Sequence, residues 1–159
     1  DAFALAQVNE LLKSTLVILR SNLRDQVAID LDLSDELPEI RCQSGRLNQV
    51  FMNMITNAAH ATMARKDLEP TDRLVYISSK LEGRVNNVEV VIRIEDNGTG
   101  MSDEVQGQIF DPFFTTKEVG KGTGLGLSIA MGILSDHEAE VEVESTLGKG
   151  TAFTLRFKA

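Results

Sequence analysis

Four polar side chains, Gln49, Asn53, Asn57 and His60, recur four, four and three residues apart within residues 47–63. On a helix that spacing lines them along one face. Leu47, Val50, Phe51, Met54, Ile55 and Ala58 recur through the same stretch as an apolar stripe, so the segment reads as one amphipathic helix with two surfaces. Asparagine is a mediocre helix former, because its amide competes for backbone hydrogen bonds. Asn53 and Asn57, one turn apart, therefore admit two readings. They belong to an ordinary solvated face, or their amide oxygens reach a hydrated cation and the phosphates it carries.

Three further stretches hold residue types suited to chemistry. Asp96-Asn97-Gly98-Thr99-Gly100 closes an apolar strand pattern. A carboxylate there accepts a hydrogen bond from a ligand pressed against the glycine backbone, and the amino group of adenine is such a donor, whereas guanine offers an oxygen at that place. The same residues also make an ordinary sharp turn. Gly120-Lys121-Gly122-Thr123-Gly124-Leu125-Gly126-Leu127 runs directly into a helical pattern. Backbone N–H groups at such a helix start hold anions, and glycines at alternate positions let phosphates come close. It is neither a Walker A loop nor a Rossmann fingerprint, since Gly-Lys-Ser/Thr and GxGxxG are both missing and no strand precedes it. Between these loops, Phe110-Asp111-Pro112-Phe113-Phe114-Thr115-Thr116-Lys117 has no clear period. It reads as a buried loop anchor or as a lid, with Gly120, Gly122 and Gly124 as hinges.

The elements that must position these groups follow from periodicity. Residues 3–24 read as a helix with Phe3, Leu5, Val8, Leu11, Leu12, Thr15, Leu16 and Leu19 on its apolar face. Residues 27–33 alternate apolar and acidic types, the mark of a half-buried strand, and residues 40–42 form at best a short one. Strands over 73–80 and 88–95 flank a turn at 83–87. Ser102 caps a short helix over 103–108, a helix follows over 124–135, and strands at 141–145 and 151–157 make a second hairpin. This order predicts an α+β fold: a two-layer α/β sandwich whose mixed, mostly antiparallel sheet carries helices on one face.

Composition excludes several classes. With 159 residues, 42% hydrophobic and 25% charged, the chain fits one packed domain. A formal charge of -8 argues against nucleic acid and direct contact with anionic membrane, so any phosphate site is local. Cys42 is the one cysteine, leaving no internal disulfide and no thiol pair for zinc. No apolar run approaches a membrane span and residues 1–10 lack signal-peptide character. A cytoplasmic location is expected. The start inside a helical pattern favours a domain cut from a longer protein, which can itself be membrane-anchored.

The joint order of Asn53/Asn57, DNGTG, DPFFTTK, GTGLGL and a final LGKGTAF resembles the catalytic, ATP-binding domain of bacterial two-component sensor histidine kinases. That domain belongs to the Bergerat-fold (GHKL) superfamily shared with type II topoisomerases and mismatch-repair ATPases. The resemblance covers residues 27–159. It implies an N box in which Asn57 ligates Mg2+ and Asn53 takes the position of a glutamate in related ATPases, with His60 near the phosphates. It implies that Asp96, with Gly98 and Gly100, receives adenine; that Phe110, Phe113 and Phe114 form an F box; and that Thr116 and Lys117 approach phosphate. It further implies a G2 box of Gly122, Thr123, Gly124, Leu125, Gly126 and Leu127, and Thr151 at the adenine end. The implied catalytic residues are Asn53, Asn57 and Lys117.

The implied activity is transfer of the ATP γ-phosphoryl group to a histidine on a separate helical dimerisation domain, and onward to a response-regulator receiver domain. Neither His60 nor His137, the two histidines of the chain, lies in such a hairpin. Residues 1–26 are then a helix packed on the domain or the connection to the missing acceptor domain. The isolated domain is expected to be monomeric and the full-length protein a homodimer. A conformational ATPase or a non-catalytic nucleotide-binding domain are the alternatives. Two departures stand out. Many relatives carry His-Gly-Gly where this chain has His137-Glu138-Ala139, and relatives often have an acidic residue near Gln43, whose loss bears on a helix cap.

Overall fold

The apolar stripe of residues 47–63 lies at the centre of the core. Helix α2 (Ser44–Met63) buries Leu47, Val50, Phe51, Met54, Ile55 and Ala58, as its periodicity predicts. The computed structural model describes residues 1–111 and 126–159. In these, β2 (Ala28–Leu33), β4 (Leu74–Arg84), β5 (Asn87–Asp96), β7 (Gly150–Lys158) and β6 (Glu140–Thr146) form one sheet in that spatial order. β2 runs parallel to β4, and the remaining neighbours are antiparallel.

Alternation gives the sheet two unlike faces. Val90, Ile92 and Ile94 of β5 stand opposite Phe157, Leu155 and Phe153 of β7, and all six join the buried cluster with the stripe of α2. The other face is polar. Arg156 there meets Glu142 at 2.8 Å and Glu82 at 2.9 Å, and Arg93 meets Glu144 at 3.3 Å. These pairs sit at the solvent boundary, where ion pairs stabilise modestly, with the carboxylates of Glu142 and Glu144 exposed. The short helix capped by Ser102 is α3 (Asp103–Gln106), and helix α4 (Gly126–Asp136) packs beside α2. Helices therefore cover one face of a mixed sheet, as expected.

Two boundaries differ from the periodicity reading. Residues 3–6 are not helical: β1 (Ala4–Ala6) pairs antiparallel with β3 (Ile40–Cys42). Helix α1 (Val8–Leu23) starts only after Gln7, whose side chain accepts from the Asn9 N–H and whose amide donates to Leu37 O. Phe3 and Leu5 carry a spacing of two, not three or four, and Leu5 is 66% exposed. From Val8 on, Leu12, Thr15, Leu16 and Leu19 are buried as predicted. The second difference is the first hairpin. β4 and β5 pair through Gly83 to Arg84, well into the expected turn. Gly83 has φ 116°, and a Cβ there would overlap the Asn87 carbonyl, so a glycine lets the ladder continue.

Helix α2 solves its capping problem from a distance. Gln43 at its N-cap makes no side-chain capping bond. Instead an Asp1 carboxylate oxygen accepts from Gly45 N at 3.0 Å and Arg46 N at 3.4 Å, and His137 Nε2 accepts from Gln43 N at 3.0 Å. His137 Nδ1 lies 2.7 Å from Ile133 O. With Nε2 accepting, Nδ1 carries the proton, and both ring nitrogens are used in structure.

The end of α4 shows the meaning of His137-Glu138-Ala139. Ala139 N donates to Leu134 O at 2.9 Å and Glu138 N to Ser135 O at 3.0 Å, the paired bonds of a Schellman cap. Glu138 takes the left-handed conformation, φ 54°, which glycine adopts without strain. Side chains other than glycine cost about 1 kcal/mol there. Glu138→Gly should therefore stabilise the domain by roughly 0.5–1 kcal/mol, read as a higher urea midpoint at unchanged m. A lower midpoint would show that the Glu138 side chain contributes more than its backbone costs.

Candidate active site

The strand end at Asp96 places a carboxylate where water is scarce. Asp96 is 7% exposed. It faces Thr151 of β7, which in turn faces Ser145 of β6, so three polar side chains form a row on the helix-covered face. Gly98 N donates to Asp96 Oδ1 at 2.8 Å. Burial pushes the Asp96 acid up to about 6, against the pull of the Gly98 and Thr151 backbone N–H groups and with a small push from Glu95.

The loop after Asp96 is pinned on both sides. A Cβ on Gly98 would lie 2.6 Å from Ala61 of α2, and Thr99 N donates to Ala61 O at 3.2 Å. Gly100, φ 66°, packs against the Thr146 carbonyl so closely that a Cβ would overlap it. Gly148 N donates to Thr99 O at 2.7 Å, and Met101 N donates to Ser145 Oγ at 2.8 Å. Asn97 faces away from the cleft: its Oδ1 accepts from Leu74 N at 2.9 Å and its Nδ2 donates to Asp72 O at 2.8 Å. Arg65, paired with Asp67 at 2.6 Å, donates to Asn97 O at 3.0 Å. Glycine at 98 and 100 is thus required by packing of the loop itself.

On α2, Asn53 and Asn57 are half-buried, while Gln49 and His60 are exposed. Asn53 Nδ2 donates to Gly126 O at 3.4 Å, which ties the polar stripe to the first residue of α4. Phe110 packs edge-on against Phe153, centroids 6.4 Å apart, so this part of the phenylalanine-rich segment is an anchor. Leu127 packs against the core. A Cβ on Gly126 would meet nothing within 4 Å; crowding by described residues does not explain that glycine. Phe113, Phe114, Thr116, Lys117, Gly122, Thr123, Gly124 and Leu125 lie outside the described residues. The structure thus brings Asp96, Gly98, Gly100 and Thr151 together and seats their loop on Ala61 of α2; Asn57 lies one turn before Ala61 on that helix, and Asn53 one turn earlier reaches Gly126 of α4. Arg65, Ala61 and Ser145 join them without having stood out in the sequence. Ser145 had one signal, its register partner Thr151; Arg65 and Ala61 had none beyond proximity to the asparagines.

Comparison with known proteins identifies the family and the fold. Residues 42–159 match the family described as Histidine kinase-, DNA gyrase B-, and HSP90-like ATPase, and the chain belongs to that family. ATP is accordingly its nucleotide. The chain is 36% identical over 149 residues to the signal transduction histidine-protein kinase AtoS of Escherichia coli K12, covering 93% of this chain and 22% of AtoS. It is 33% identical over 149 residues to sporulation kinase E of Bacillus subtilis 168, covering 93% of this chain and 19% of that kinase. It spans about a fifth of either relative. The catalytic domain of the histidine kinase ThkA superposes with a TM-score of 0.80 at 27% identity, over 99% of this chain and 96% of that one. The sandwich with helices on one face is that of histidine kinase catalytic domains. Among the described residues no helix is long and apolar enough to cross a membrane.

The buried carboxylate has a thermodynamic consequence. Folded Asp96 holds its proton more tightly than in the unfolded chain, where a carboxyl near 3.8 is ordinary. The stability it contributes is present below about pH 4 and is lost as pH rises through about 6. Asp96→Asn should therefore be more stable than the parent at pH 7.5 by up to roughly 2 kcal/mol, with the gap closing toward pH 4. Urea titrations at the two pH values measure this; equal midpoints at pH 7.5 would contradict it.

Proposed function

We propose that this chain is the ATP-binding catalytic domain of a sensor histidine kinase in a two-component system. It transfers the γ-phosphoryl group of ATP to a histidine presented by a helical dimerisation domain of the same full-length protein. That protein is a homodimer, and helix α1, whose Val8, Leu12 and Leu16 are buried in the core, packs on this domain. The phosphoryl group then passes to a receiver-domain aspartate of a response regulator. The family membership and the kinase relatives support this reading. The observation that carries it is Asn53, an amide on the cleft face of α2 that holds Gly126 O. An amide cannot take a proton from water, so activation of a hydrolytic water has no base at this position.

Transfer to imidazole needs no such base. A neutral ring nitrogen already offers a lone pair; the new P–N bond forms as the bond from the γ-phosphorus to the ADP oxygen breaks. The domain need supply only position and charge stabilisation. Asp96 accepts from the adenine amino group and orients the base. Gly98 and Gly100 let the loop close onto α2 and the β6–β7 hairpin and so fix the carboxylate, Thr151 lines the adenine end, and His60, when protonated, neutralises phosphate.

The amide oxygen of Asn57 suits a hydrated hard cation that keeps most of its waters. Among the described residues no group of three or more His, Cys, Asp or Glu side chains offers a separate metal cage. Asn57 would hold magnesium, which when bound neutralises charge on the phosphates.

Incubation with Mg-ATP and the histidine-bearing hairpin domain of the full-length protein should yield acid-labile phosphohistidine, with little phosphate released by the catalytic domain alone. Rapid hydrolysis without phosphohistidine would instead mark a conformational ATPase, and tight nucleotide binding with neither product a non-catalytic domain. In calorimetry, Asn57→Ala should erase the strengthening of ATP binding by magnesium, about tenfold or more in Kd, while leaving magnesium-free binding intact. An undiminished magnesium effect would remove Asn57 from that role.

A further inference from the structure

Ser145 touches three groups of the Asp96 region at once. Its Oγ accepts from Met101 N at 2.8 Å, donates to Gly150 O at 3.1 Å, and lies 2.8 Å from Thr151 Oγ1. Ser145 is half-buried and Thr151 is 8% exposed. In such a place unspent hydrogen-bonding capacity is costly.

A hydroxyl carries one proton and two lone pairs. Gly150 O can only accept. If the Ser145 proton goes there, the Thr151 proton is free to go to Ser145 Oγ, and the three contacts become three hydrogen bonds. If Ser145 instead donates to Thr151, only two bonds form, and the Gly150 contact is left without its proton. The first arrangement spends the only proton of Thr151 on Ser145. What Thr151 then turns toward its other neighbours is lone pairs. Its register partner on that side is Asp96, whose Oδ1 already accepts from Gly98 N. Asp96 and Thr151 therefore both turn acceptors toward the rim between them.

We propose that Ser145 is a positioning residue for nucleotide selection: by taking the proton of Thr151 it keeps that hydroxyl an acceptor, so the rim favours a 6-amino purine and disfavours a 6-oxo purine. Ser145 itself does not touch the nucleotide. The proposal rests on the reading of Asp96 as the residue that receives the adenine amino group. It adds that the discrimination belongs to a row of three side chains across three strands, with its polarity set from the far end.

The test is competition calorimetry of the chain with ATP and with inosine triphosphate, which carries an oxygen in place of the amino group. Ser145→Ala frees the Thr151 proton to turn toward the ligand. ATP should weaken about tenfold while inosine triphosphate does not weaken, so the preference for ATP falls by about that factor. Ser145→Thr keeps the hydroxyl and should restore the preference to within about twofold. Equal weakening of both nucleotides by Ser145→Ala would overturn the proposal and leave Ser145 as a support for the Met101 backbone only. Thr151→Val removes the hydroxyl at nearly constant shape. It should lower the preference by itself and make Ser145→Ala silent on the ratio. An unchanged ratio in Thr151→Val overturns the proposal even if Ser145→Ala does not fold. Asp96→Asn separates the two levels. If it leaves the ATP preference unaltered, the adenine reading of Asp96 fails; if it abolishes the preference while Ser145→Ala preserves it, only the role of Ser145 fails.

Discussion

Gly98 lies against Ala61 with no room for a methyl group between them, a Cβ being only 2.6 Å away. That contact joins the two halves of the site. Asn53 and Asn57 belong to α2, whereas Asp96 belongs to the end of β5, and these elements are distant in sequence. Because Gly98 sits on Ala61, and Thr99 N bonds to Ala61 O, the carboxylate stands in a set relation to the amide stripe. A second close approach, Gly100 on the Thr146 carbonyl, brings in the β6–β7 hairpin and with it Ser145 and Thr151. Groups from three elements are held by backbone contacts, which are stiffer than side-chain contacts. A site that works by positioning needs that stiffness.

The same geometry sets the energetics of Asp96. Loop, helix and hairpin close around the carboxylate and strip it of water, and two backbone N–H groups offset only part of the loss. The residue is held at a cost to stability at neutral pH, a common pattern where function and folding compete. The buried amide of α1 shows the opposite pattern. Asn9 of α1 is 8% exposed, yet its amide donates to Ser34 O at 2.6 Å and accepts from Ser79 Oγ at 2.8 Å. The outer sheet face spends its charges on one another and stays in solvent.

Much of this was legible before any coordinates. The stripe from Leu47 to Ala58 announced a core helix, since six apolar residues at helical spacing have few other uses. The asparagines on its other face, the Asp-Asn-Gly-Thr-Gly turn and the glycine-rich run were each ambiguous alone and informative in order. The failures have physical causes. Residues 4–6 became a strand because an unpaired partner, β3, lay within reach, and periodicity counts side chains, not available backbone partners. Gly83 looked like part of a turn because a glycine with positive φ inside a strand ladder and one inside a loop have the same spelling. Ser145 is unremarkable in the sequence, because its meaning depends on Thr151 facing it from β7.

Residue types and their spacing belong to the chain alone: amides on a helix face, a carboxylate followed by glycines, and an apolar pattern sufficient for a two-layer sandwich. These are local properties, carried by periods of two and three to four and by backbone freedom at glycine. What each group meets is set by the folded arrangement. It made Gly98 and Gly100 packing residues, moved the cap of α2 to Asp1 and His137, and set Thr151 between Asp96 and Ser145. The reason is that hydrogen-bond polarity, burial and close backbone approach are relations between distant segments, and a linear pattern carries no term for them.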